Sequence, residues 1–142
     1  MSPRQHSGAC HCGRVSVEFR SSGAELTPRA CQCGFCRRHG ARTVTDTDGF
    51  AEITADGPLT RYHFGLMTAD YYLCPVCGVY IGCGIDADGI LRVTLNAAGL
   101  QLMPWADRTA EPVDYSGETL HERLDRRRAR WTPARMRERA LA

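Results

Sequence analysis

Cys31-Gln32-Cys33-Gly34-Phe35-Cys36-Arg37-Arg38-His39 sets three thiols close together and follows them at once with two guanidinium groups and an imidazole. Cys-x-Cys-x-x-Cys can place three thiolates around one Zn²⁺, and a site with three protein ligands leaves a position for water or substrate, whereas a structural zinc is usually closed by four. Cysteine pairs flank the stretch on both sides, in Gly8-Ala9-Cys10-His11-Cys12-Gly13 and in Cys74-Pro75-Val76-Cys77-Gly78. Together the pairs offer four thiolates, the number a structural zinc takes. A metal shared between them pins the first strand to the middle of a sheet, and a small β domain draws much of its stability from such a clip.

The chain has 142 residues, eight cysteines, 43% hydrophobic and 24% charged residues. That suits one folded domain with a modest core. All 18 basic residues are arginine and the net charge is only +2, too small by itself to imply nucleic acid or a membrane surface. No run of 18 apolar residues exists, so no membrane span is expected, and Met1 to Gly8 lacks the apolar stretch of a signal peptide. The expected location is cytoplasmic, where thiols stay reduced, and eight cysteines there favour metal over a disulfide scaffold.

The remaining pattern is β. Arg14 to Arg20 alternates, with Val15, Val17 and Phe19 on one face, as in a half-buried strand. Phe50 to Thr54, Leu59 to Phe64, Val79 to Ile85 and Ile90 to Leu95 read as further strands. Asp48-Gly49, Asp56-Gly57-Pro58 and Asp88-Gly89 supply turns, the last a tight hairpin. No long helix is expected before residue 116. The tail differs: Thr119 to Glu122 resembles a capping box, and Leu120, Leu124 and Trp131 recur at helical spacing. Thr132-Pro133 suits the start of a further short helix. The tail's many arginines, partly offset by Glu118, Glu122, Asp125 and Glu138, read as a solvated face.

Around the triplet, Arg37 and Arg38 have the fork geometry that binds carboxylates. His39 could move a proton near neutral pH. His39 or Cys83 could also close the site as a fourth ligand. Cys83, in Gly82-Cys83-Gly84, otherwise reads as a buried free thiol. Tyr71, Tyr72, Tyr80 and Trp105 are core or rim aromatics, with nothing in the sequence to select one for a pocket.

Gly-x-Cys-x-Cys-Gly, then Cys-x-Cys-x-x-Cys-Arg-Arg, then Cys-Pro-x-Cys-Gly, in this order, resembles the glutathione-dependent formaldehyde-activating enzyme family, also called the CENP-V/GFA domain. The resemblance covers residues 6–105 and leaves 106–142 as a partly helical, arginine-rich extension. It implies a mainly β, Mss4-like fold, a zinc-stabilised β-tent or sandwich with a short helical C-terminal tail. It also implies two zinc ions per chain: a structural one on Cys10, Cys12, Cys74 and Cys77, and a catalytic one on Cys31, Cys33 and Cys36. Gln32 stands where the family often has histidine.

The function expected on this reading is that of a cytoplasmic zinc-dependent carbon–sulfur lyase. It makes or breaks an adduct between glutathione, the co-substrate, and a small aldehyde or other electrophile. Cys31, Cys33, Cys36 and His39 would be catalytic, and Arg37 and Arg38 would hold glutathione's carboxylates. The partner is then a small molecule, with no membrane and no nucleic acid expected. The alternative is a non-enzymatic zinc-binding module for protein or nucleic-acid interaction, with the arginine-rich tail as its contact.

Overall fold

Val15, Val17, Phe19 and Ser21 are buried while the residues between them are exposed. This period-two pattern sets β2 (Val15–Ser21) with one face on the core. A computed structural model describes residues 3–141 of the chain. Before β2 runs β1 (Arg4–Ala9), and after it come β3 (Arg29–Cys31), a short helix α1 (Gly34–Arg38) and β4 (Thr43–Val44). Next are β5 (Phe50–Asp56), β6 (Thr60–Tyr62), β7 (Asp70–Leu73), β8 (Tyr80–Ala87) and β9 (Ile90–Asn96). A one-turn helix α2 (Ala97–Leu100), β10 (Glu111–Val113), α3 (Leu120–Arg130) and β11 (Thr132–Arg139) complete the order. The protein is mainly β, one mixed sheet with a short helix near the C-terminus, consistent with a sandwich.

The sheet runs β1-β2-β5-β11-β9-β4-β3-β10 and branches at β9. One edge of β9 pairs with β8, which carries β7 and then β6. The other edge is shared, by β11 over Leu91 to Val93 and by β4 over Leu95 and Asn96. Two buried clusters result. One gathers Val17, Phe19, Ile53, Ile81, Val93, Leu95, Leu100 and Trp105. The other gathers Cys36, Tyr80, Cys83, Ile85 and Trp131. β8 contributes to both and so is buried on both faces.

Asp88 (φ 57°) and Gly89 (φ 81°) turn β8 into β9. Positive φ at both central residues is the tight hairpin geometry that Asp-Gly favours. At the other end of the same hairpin, buried Asn96 donates from Nδ2 to the Tyr80 carbonyl at 2.9 Å and accepts from the Arg42 N–H at 3.1 Å. It therefore ties β8, β9 and the segment before β4 together without leaving a polar atom orphaned.

The tail is helical only in part. α3 has the expected capping box: Glu122 N–H donates to Thr119 Oγ1 at 3.2 Å, and Thr119 N–H donates to Glu122 Oε1 at 2.9 Å. The further helix expected at Thr132-Pro133 is instead strand β11. Thr132 Oγ1 accepts from the Asp46 N–H at 2.8 Å rather than capping its own chain. Ala134 and Met136 pack inward, while Arg135, Arg137 and Arg139 face out. That alternation has a period of two, and it wins because the outward arginines meet complementary partners across the parallel pairing with β5: Arg135 pairs with Glu52, and Arg139 lies 3.7 Å from Asp56. The described part of the extension, residues 106–141, thus supplies an inner strand of the sheet, and β10 lies parallel to β3, so the boundary after residue 105 marks no break in the structure.

Candidate metal centre

Two cysteine groups come together. Cys10, Cys12, Cys74 and Cys77 have their sulfurs all within 4.8 Å of one another, and so do Cys31, Cys33 and Cys36. All eight cysteines are unbridged. In the first group Cys10 and Cys12 Sγ are 3.7 Å apart, and Cys12 and Cys74 Sγ are 3.6 Å apart. A tetrahedron with Zn–S of about 2.3 Å has edges of about 3.8 Å, so these thiols fit zinc closely. Gly13 (φ 83°) and Gly78 (φ 77°) turn the chain after each pair. The turns aim backbone N–H groups at sulfur: Val15 onto Cys10 at 3.3 Å, and Val76 onto Cys74 at 3.4 Å. Donors so placed favour the thiolate. Burial still pushes Cys10 up to about 11 in the absence of metal. The group joins the β1–β2 turn to the β7–β8 turn, the clip expected from the sequence.

The second group is built on α1. Cys31 ends β3, Cys33 caps α1, and Cys36 lies buried inside it. Cys36 N–H donates to Cys33 Sγ at 3.3 Å. β10 steadies Cys31 from the other side, with Val113 as its register partner and the Gln32 N–H donating to the Val113 carbonyl at 2.9 Å. The Cys36 thiol donates to Cys31, which drops Cys31 to about 6 and raises Cys36. The triplet therefore holds a thiolate readily. Neither His39 nor Cys83 joins the group, so among the described residues it has three ligands. Both groups are placed to hold a metal ion, consistent with zinc.

Cys31 and Cys36 line a cavity of about 340 Å³. Tyr71, Tyr80 and Cys83 come to it from β7 and β8, and Arg29 and Thr43 from β3 and β4. Tyr115, Arg126, Arg127 and Trp131 come to it from the tail. Glu25 and Glu111 are exposed at its edge. Burial raises the Tyr71 and Tyr80 hydroxyls and pushes the Cys83 thiol up to about 12. These groups stay protonated near neutral pH.

The expected site residues separate. Arg37, Arg38 and His39 are exposed and do not line the cavity. Arg38 folds back on its own helix, Nη1 to the Gly34 carbonyl at 3.0 Å. The His39 ring lies 4.5 Å from Phe35, in an aromatic cluster with Tyr62, Phe64, Tyr71 and Tyr80 that backs α1. The cavity's guanidinium groups come instead from α3. Arg126 is paired to Glu118 at 2.7 Å and lies 3.6 Å over the Tyr115 ring. Arg127 is only 5% exposed, donates to Thr68 Oγ1 at 2.8 Å and lies 4.9 Å from the Trp131 ring. Sequence reading placed these arginines on a solvated face. The available signal was helical spacing: Arg127 falls seven positions after Leu120, three after Leu124 and four before Trp131, on the apolar side.

Among the described residues no helix is long and apolar enough to cross a membrane. No family model matches the chain. A crystal structure of a Rhodobacter sphaeroides protein from structural genomics is similar to it, at 30% identity and a TM-score of 0.59. The match covers 75% of this chain and 99% of that one.

Proposed function

We propose that this chain, which belongs to one family with that Rhodobacter sphaeroides protein, is a zinc-dependent carbon–sulfur lyase acting on an adduct of glutathione with a small carbonyl compound. The reading rests on one observation: a three-cysteine group, without a fourth protein ligand among the described residues, opens on a cavity of about 340 Å³. The resemblance of the cysteine motifs to the glutathione-dependent formaldehyde-activating enzymes supports it. A purely structural zinc has no need of a cavity at its open side.

Bound by Cys31, Cys33 and Cys36, zinc would supply a fourth position at which a thiol sulfur is held as thiolate. The chain's own residues then act on the carbonyl partner. Tyr80, Cys83 and Trp131, all buried, keep water from the reacting carbon. Tyr71, still protonated, can donate a hydrogen bond to the carbonyl oxygen as charge builds there. In the synthetic direction sulfur bonds to the carbonyl carbon, and the carbonyl π pair moves to oxygen, which takes a proton. In the breaking direction the hydroxyl gives up that proton, the carbonyl reforms, and the carbon–sulfur pair returns to sulfur. Arg126, fixed by Glu118 beside Tyr115, is a cationic group of the cavity lining suited to a carboxylate of glutathione.

The test is turnover of glutathione with aldehydes in Cys33→Ser. Zinc at the four-cysteine group should persist, at about one ion per chain, while adduct formation and breakdown fall to background. Unchanged turnover in that variant overturns the proposal.

A further inference from the structure

Arg127 is a buried cation without a carboxylate partner among the described residues. It is 5% exposed, and among the described residues no carboxylate lies within salt-bridge reach of it. Its nearer contacts are neutral, a hydroxyl at Thr68 and the face of Trp131. Its Nε is shut off from solvent and has no hydrogen-bond partner. A buried charge without a counter-charge is costly, and charged residues that deep are normally paired. The neighbouring arginines of α3 show the ordinary solution: Arg123 and Arg126 both reach Glu118, and Arg128 lies 3.7 Å from Asp125. Arg126 and Arg127 both line the cavity of Cys31 and Cys36, but only Arg127 of the four comes to it buried and without a carboxylate partner.

The cavity sorts its charges by depth. Its carboxylates, Glu25 and Glu111, are exposed. Its buried lining carries Arg127 together with Tyr80, Trp131 and the sulfurs of Cys36 and Cys83, and no carboxylate. A buried guanidinium that no carboxylate of the chain meets favours an anionic ligand, and its planar fork suits a carboxylate. At about 340 Å³ the space is near the lower limit of small-molecule sites. That suits a compound of a few heavy atoms at depth, with any larger partner extending outward.

We propose that Arg127 is the anion-binding residue of this cavity and that the carbonyl partner is a small oxo acid, its carboxylate on Arg127 and its carbonyl toward the cysteine triplet. The idea deepens the proposed function by naming the class of electrophile. It rests on that function for the chemistry only, since binding of the oxo acid needs no turnover.

The probe is pyruvate, titrated into the full-length, zinc-loaded protein without any thiol and followed by calorimetry and by tryptophan emission. Trp131 lies against Arg127 and lines the cavity, whereas Trp105 belongs to the other buried cluster and gives a constant background. The expected result is saturable binding to the wild type and none of acetone, the neutral analogue. Arg127→Gln should weaken pyruvate binding about ten- to a hundredfold, the scale of one charge-assisted pair. Arg128→Gln, on the exposed side of α3, should leave it unchanged. If Arg127→Gln does not fold, Arg127→Lys decides: it keeps the charge, loses the fork and should still bind several-fold more weakly. Absence of pyruvate binding at millimolar concentration, or equal binding by the folded Arg127 variant, overturns the inference. Arg127-dependent pyruvate binding without any turnover of glutathione and glyoxylate overturns the lyase and leaves this inference standing.

Discussion

Phe35 sits between two ligands of the triplet, and its ring fastens α1 to the sheet. It meets Tyr71 and Tyr80 edge-on, at 5.0 and 4.8 Å between centroids, and stacks with Phe64 and Tyr62 at 5.4 and 5.6 Å. The residue is half-buried. Burying about half of a phenylalanine removes roughly 100 Å² from water, which contributes about 2.5 kcal/mol at ~25 cal/mol/Å². The two edge-on pairs add about 0.5–1.5 kcal/mol each, part of which is recovered when the neighbouring rings relax in Phe35→Ala. A net loss of about 2–4 kcal/mol follows, or roughly 3 °C in melting temperature per kcal/mol for a chain of this length. Much of it falls on α1, a helix too short to stand without its packing. Zinc affinity at the triplet should therefore drop about ten- to a hundredfold, while the four-cysteine group, which the ring does not touch, keeps its metal. Competition with a chelator of graded strength, read as zinc retained per chain, separates the two sites. Equal weakening of both sites, or none at the triplet in a protein whose melting point has fallen, would refute the claim that Phe35 positions the triplet.

Four further outcomes are expected. Removing metal from the four-cysteine group should lower thermal stability sharply, since the β1–β2 and β7–β8 turns are then held by neighbouring sheet contacts alone; a calorimetric melt before and after chelation checks this. Gly82→Ala would set a Cβ 2.4 Å from the Thr94 carbonyl oxygen of the adjacent strand, and because backbone cannot yield cheaply it should cost about 1–3 kcal/mol, measured by denaturant unfolding. In metal-free protein the alkylation rate of Cys31 should rise with pH through about 6 and then level, and Cys36→Ala, which removes the donor, should move that midpoint up toward the ordinary thiol value of about 8.5. Glu118 is held below the usual carboxylate range, chiefly by Arg126; its contribution is therefore fully present above the unfolded value and lost as pH falls through the depressed folded one. A melt series below pH 5 should show Glu118→Gln losing less stability with acid than the wild type, with a deficit of about 1 kcal/mol near neutrality.

The cysteine motifs and the β pattern were legible because each is local. Glycines beside Cys12 and Cys77 and the alternation in β2 act over a few residues, and the structure brings the two flanking cysteine pairs together as their count of four ligands suggested. The Thr119–Glu122 box was equally local and correct. Reading Thr132-Pro133 as a helix start failed because the competing signal is not local. The alternation after Pro133 gains its meaning from Glu52 and Asp56 on a strand some eighty residues earlier. The cavity failed to show for the same reason. Arg37 and Arg38 stand next to Cys36 in sequence, but α1 is too short to turn them toward the open side of the triplet, and its two arginines face solvent. Arg126 and Arg127 reach that side from ninety residues away, because β10 and β11 bring both ends of α3 back to the sheet. Sequence adjacency grouped the cysteines, while the guanidinium groups that line the cavity come from a distant helix.

An open zinc site on Cys31, Cys33 and Cys36 would accept an outside thiol as its fourth ligand. Zinc X-ray absorption on fully loaded protein, with and without glutathione, addresses it directly. Seven cysteines shared by two ions should give about 3.5 sulfurs per zinc with the balance oxygen or nitrogen, rising to about 4 with glutathione. About four sulfurs per zinc before glutathione is added, or a mean near 3.5 that glutathione leaves unchanged, would contradict it.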